Sequence, residues 1–191
     1  DNNNNNNNNN KDQQNDATTE PFSEMQLRAR YPIFTDFLTP RDQKSPRAHD
    51  RPASWLLQLI EEMYDARYHY DCRQQAQYEE GEHQEETALA VAAHEAAMSG
   101  APPPSGSPVK AHRPLTISTP AFCYKFLENQ LGLRALTQQT AWDLLHNVNR
   151  HRRAHPEVEM FSHVLRELIK TEHFLFFLRA REVLQREFEI K

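Results

Sequence analysis

The chain has 191 residues, 22 Lys plus Arg against 27 Asp plus Glu, a formal charge of -5 and 38% apolar residues. Mean hydropathy is -0.87. Only 4 residues are Gly (Gly81, Gly100, Gly106 and Gly132), none at GxGxxG spacing, which excludes a Gly-rich phosphate loop and with it the usual nucleotide-binding α/β enzyme.

The acidic balance also argues against generic polyanion binding, and no run approaches the ~20 apolar residues that span a bilayer. No membrane partner is expected. The two cysteines, Cys72 and Cys123, form no close-spaced pattern and suit a reduced, cytoplasmic chain better than a disulfide scaffold. The first residue is Asp rather than Met, so the chain reads as a fragment of a longer protein.

Residues 1–20 open with an unbroken Asn run from Asn2 to Asn10 and hold no aliphatic residue larger than Ala. Such a segment buries too little to offset its ordering entropy and is expected to be a disordered tail. Residues 21–52 carry five prolines, so helices there must be short. Their apolar clusters (Phe22, Met25 and Leu27, then Tyr31, Ile33, Phe34, Phe37 and Leu38) read as anchors for an irregular docking segment.

A long helix is expected over residues 53–98, starting at Pro52 or Ala53 with Asp50 as a candidate cap. Trp55, Leu56, Leu59, Ile60, Met63, Tyr64 and Arg67 recur at spacings of three and four, and Tyr68 and Cys72 extend the stripe. Gln and Glu follow, with Gly81 as the one place where two helices would break. From Gln74 to Gly100 there are six Glu and no Lys or Arg, which makes an acidic, solvated arm. No heptad is sustained, so a dimeric coiled coil is the lesser reading. Residues 99–114, SGAPPPSGSPVKAHRP, read as a Pro/Gly/Ser linker.

Residues 115–191 are expected to form a small helical bundle. Ser118 or Thr119 caps a helix containing Phe122, Phe126 and Leu127, which Gly132 ends in the left-handed region. The next helix, from about Thr137 to Arg153, buries Ala141, Leu144, Leu145 and Val148, with Trp142 to one side. Pro156 opens a third, with Val158, Phe161, Val164, Leu165 and Leu168 inward. A break near Thr171 to His173 precedes a last helix carrying Phe174, Phe177, Leu178, Val183, Leu184 and Phe188; an unbroken run from Pro156 is the alternative. The fold class is therefore all-α: a long N-terminal-side helix, a small C-terminal bundle and a disordered Asn-rich tail.

No catalytic constellation stands out. The pairs Glu61-Glu62, Glu79-Glu80 and Glu85-Glu86 lie on a polar helix with no apolar frame to split their pKa values. His69 and Cys72 share one helical face, but a structural zinc wants a second pair, and none follows. A calcium loop fails for want of a DxDxDG run. No cofactor or metal is assigned, and no enzyme is expected.

Two features carry a binding reading. HNVNRHRRAH, residues 146–155, places three Arg and three His at a helix C-terminus. Complementing the helix dipole is the plain explanation; contact with an acidic protein surface, or with nucleic acid through Arg150, Arg152 and Arg153, is the functional one. In the second feature, Phe174, Phe176 and Phe177 cannot share one direction around a helix, so part of that face must meet another element or another protein.

FCYKFLENQLGLRALTQQTAWDLLHNVNRHRRAHPEVEMFSHVLREL, residues 122–168, with its elements GLRAL, WDLL and HPEVEMF, resembles helical segments of large cytoskeletal or flagellar proteins of protists. The resemblance implies a scaffold near the cytoskeleton or flagellum and carries over no catalytic residue. The leading expectation is a scaffold or adaptor that binds a protein partner; the alternative is a regulatory module that binds nucleic acid or another polyanion.

Overall fold

The computed structural model describes residues 23–38, 45–99 and 117–188. Among them are seven helices and no strand: α1 (Glu24–Arg30), α2 (Pro32–Thr35), α3 (Ala53–Ser99), α4 (Thr119–Leu131), α5 (Arg134–His151), α6 (Pro156–Leu165) and α7 (Thr171–Phe188). The all-α class follows. The expected tail (1–20) and all but Ser99 of the expected linker (99–114) lie outside the described residues.

Local signals set most helix ends. Ser23 and Gln26 close a capping box on α1. Ser118 accepts the Ala121 N–H at the start of α4, and Gly132, at φ 66°, ends it. Pro156 opens α6. The break after α6 lies at Arg166–Lys170, upstream of the expected Thr171 to His173. Glu167 stands at φ 54°, its N–H donates to the Val164 carbonyl, and Leu168 N–H reaches the His163 carbonyl. That is a Schellman stop with Glu where Gly is usual.

Gly81 does not break α3, which runs 47 residues, about 70 Å. The arm splits by what it can bury. Leu56, Ile60, Met63, Tyr64 and Arg67 face the core, and Asp71 is its last buried residue. The inward line continues through Arg67 and Asp71, whereas Cys72 is exposed. Beyond Asp71 the helix projects for about 40 Å.

The core forms around α5. Nine consecutive residues, Ala141 to Asn149, are buried, so this helix is enclosed on all sides. Helices α3, α4 and α6 cover its apolar positions. Trp142, expected to one side, is buried beneath the Arg28 guanidinium, 5.1 Å from its ring. The segment of α1, α2 and their flanks adds Leu27, Tyr31, Phe34 and Leu38 to the same core.

The last two helices differ from expectation at their apolar positions. Leu168 is exposed because it lies past the end of α6. On α7, Phe174, Leu175 and Leu178 turn inward, while Val183, Leu184 and Phe188 stand in solvent. Contact with α3 passes to ion pairs: Arg179 to Asp71 at 2.5 Å, and Arg181 to Glu61. The acids of α3 thus occupy the positions that further apolar packing would need.

Candidate functional site

The polar side of α5 is spent within the chain. Residues 45–52 run outside any helix and lie across it as a strap. Asp143, 1% exposed, accepts from His49 N–H at 2.8 Å, from Gln139 Nε2 at 2.8 Å, and from Arg51 Nε and Nη2 at 3.3 and 3.1 Å. Asn147 takes the strap by its backbone: Oδ1 accepts from Arg51 N–H at 2.8 Å, and Nδ2 donates to the His49 carbonyl at 2.9 Å. Gln139 Nε2 donates to the Arg47 carbonyl at 3.0 Å, and His151 Nε2 lies 3.0 Å from the Arg51 carbonyl. These residues recur along one helical face and satisfy an extended backbone much as a sheet edge does.

This arrangement decides much of the run 146–155. His146 Nε2 and Arg150 Nη1 both bind Asp50 Oδ1, at 2.8 and 2.5 Å. Asp50 therefore serves α5 rather than capping α3. Hydrogen bonds from Arg150 and His146 hold its carboxyl down at about 2. Arg150 is thereby engaged, while Arg152 and Arg153 are not. Among the described residues neither side chain forms a hydrogen bond or an ion pair, and the Arg152 Nε is buried without a partner.

The phenylalanines separate cleanly. Phe174 is 1% exposed and meets the Tyr64 ring at 5.0 Å. It is a core residue, not a partner contact, because position 174 falls on the α3-facing side of α7. Phe176 is 74% exposed and Phe177 37%. With Val183, Leu184 and Phe188, also exposed, they lie within an arc of about 140° at 100° per residue. This stripe runs from Phe176 to Phe188 and is exposed throughout, with the Phe177 ring also stacked on Phe174 at 6.2 Å. The sequence shows Val183, Leu184 and Phe188 on this last helix and their spacing, but not what faces them.

Other candidates resolve into structure. Arg67 is 1% exposed, lies 4.9 Å from the Phe122 ring, and donates to the Ile117 carbonyl at 2.9 Å. Burial raises the Cys123 thiol to about 12, against the opposing charge of Arg67. Both cysteines are free. Among the described residues no three His, Cys, Asp or Glu side chains gather as a metal would require. No helix there is long and apolar enough to cross a membrane. No family model, curated protein or solved structure matches the chain.

Proposed function

We propose that the chain is a non-catalytic helical adaptor that holds a protein partner along α7. The observation that carries this reading is the apolar stripe of Phe176, Phe177, Val183, Leu184 and Phe188. Burying one such side chain contributes about 1.5–3 kcal/mol, so a few of them supply the centre of an interface. Single exposed apolar residues are ordinary; five on one helical face are not.

The α3 arm, acidic and projecting, sets spacing between whatever α7 holds and what lies along the arm. The resemblance of residues 122–168 directs the search for the partner to cytoskeletal or flagellar assemblies of the cytoplasm.

The test is a comparison of intact chains as bait in a native lysate. Phe176→Glu with Leu184→Glu should lose the proteins that the unaltered chain enriches. Arg150→Glu with Arg152→Glu should retain them. Loss with the charge reversal but not with the α7 change would refute the adaptor reading and favour the polyanion alternative, with its steep salt dependence.

A further inference from the structure

Three helices end at one corner, and each ends in arginine. Arg30 is the last residue of α1, Arg152 is the C-cap of α5, and Arg166 is the C-cap of α6. Two contacts pin the ends together: Arg30 Nη1 to Asn149 Oδ1 at 2.5 Å, and Tyr31 Oη to Ser162 Oγ at 2.9 Å. Arg153 follows Arg152 in the chain. No carboxylate among the described residues pairs with any of the four.

Two buried donors there also lack partners, Arg152 Nε and the Nδ2 of Asn149, a residue only 5% exposed. Burial first, then the charges of Arg152, Arg166 and Arg153, lower the Arg30 pKa, with Tyr31 acting in the opposite sense. The guanidinium groups therefore stand close enough to repel one another.

Helix dipoles alone do not account for this corner. A cation near a helix C-terminus is favoured by the dipole of that one helix, and donation to its last carbonyls adds to this. The side chains of Arg152, Arg153 and Arg166 donate to no described group. We propose that the corner formed by Arg30, Arg152, Arg153 and Arg166, with Asn149 beneath it, binds a dianionic phosphoryl group. A carboxylate has one charge and about four acceptor sites, fewer than several five-donor guanidinium groups can fill. A phosphoryl group carries nearly two charges and three acceptor oxygens, and arginine forks match its geometry. Binding would remove the repulsion and satisfy the two orphaned donors together. The site shares no residue with the α7 stripe, so either stands if the other fails.

The test follows the arginine Nε–Hε signals of the full chain by NMR while inorganic phosphate is added. Salt is held at about 0.1 M, where the screening length is ~10 Å. The expected result is a saturable shift at Arg152 and Arg166. Its dissociation constant should rise at least about tenfold in Arg152→Gln and in Arg166→Gln. Arg150→Gln should leave it unchanged. The exposed Arg153→Gln keeps the test open if a buried-side variant fails to fold, and it too should weaken binding.

Phenyl phosphate distinguishes the source. Binding as tight as inorganic phosphate supports a phosphorylated side chain or other monoester; much weaker binding supports free phosphate. Shifts that NaCl reproduces, an affinity untouched by the Arg152, Arg153 and Arg166 changes, or binding only of a long oligonucleotide would each overturn the proposal.

Discussion

Asp143→Ala should loosen the strap and destabilise the whole core. The carboxylate accepts four hydrogen bonds from the strap and Gln139, two of them from the Arg51 guanidinium. Removing one partner of a fully buried pair costs about 3–5 kcal/mol. Here Arg51 is 45% exposed, so water rehydrates it once the acid is gone. The His49 N–H has less recourse and loses its acceptor. The net expected loss is about 2–3 kcal/mol, with Asp143→Asn near 1–2 because one amide oxygen still accepts from His49.

Urea unfolding read by tryptophan fluorescence reports this directly, since Trp142 adjoins Asp143 in the core. Trypsin gives a second, local readout. Arg47 is exposed but held in the strap, and cleavage after it should accelerate in the variant. A stability within about 0.5 kcal/mol of the unaltered chain, with unchanged cleavage, would refute the idea that Asp143 holds the strap.

Phe174→Ala should cost about 3–5 kcal/mol, while Phe176→Ala, from a 74% exposed site, should fall within about 0.5, both by urea unfolding. The two left-handed positions should respond oppositely: Glu167→Gly should stabilise by about 0.5–1 kcal/mol and Gly132→Ala destabilise by at least as much, in the same measurement. Cys72 should react with a thiol reagent at once, and Cys123 only as the protein unfolds, because burial keeps its pKa near 12. The Asp50 carboxyl is depressed below its ordinary 3.8 to about 2. Its contribution is therefore complete above pH 4 and disappears as pH falls from 4 towards 2, so an acid titration of stability should flatten over that window in Asp50→Asn.

Helix class and several helix ends were legible because they rest on local chemistry. Ser118, Gly132 and Pro156 each act on their own turn, and each does so in the structure. Gly81, where a break was the alternative, leaves α3 continuous because an interior glycine costs only about 1 kcal/mol, which the surrounding Gln, Glu and Ala residues absorb. The stop at Glu167 had no sequence sign, since no Gly or Asn occupies the left-handed position.

The strap was hidden for a different reason. Gln139, Asp143, Asn147 and His151 form a polar stripe, which reads as a solvent face. Yet Asp143, Asn147 and Asn149 are poor choices for the middle of a helix, where their side chains compete for backbone hydrogen bonds. Short polar residues there, away from any cap, were the available sign that a second backbone lay within reach. The same logic explains the basic run: Arg150 is matched by an acid 100 residues away in sequence, which no local pattern reveals.

The hydrogen bond from Arg67 to the Ile117 carbonyl joins positions 50 apart in sequence. Helix α3 leaves the core just beyond one, and the other lies just before α4. For a flexible connection, loop-closure entropy grows only logarithmically with length, and doubling one adds about 0.6 kcal/mol. The core therefore places little constraint on how far the arm extends. Reach can be lengthened or shortened while the strap, the α5 enclosure and the α7 stripe stay as they are, which makes distance an independently adjustable property of this fold.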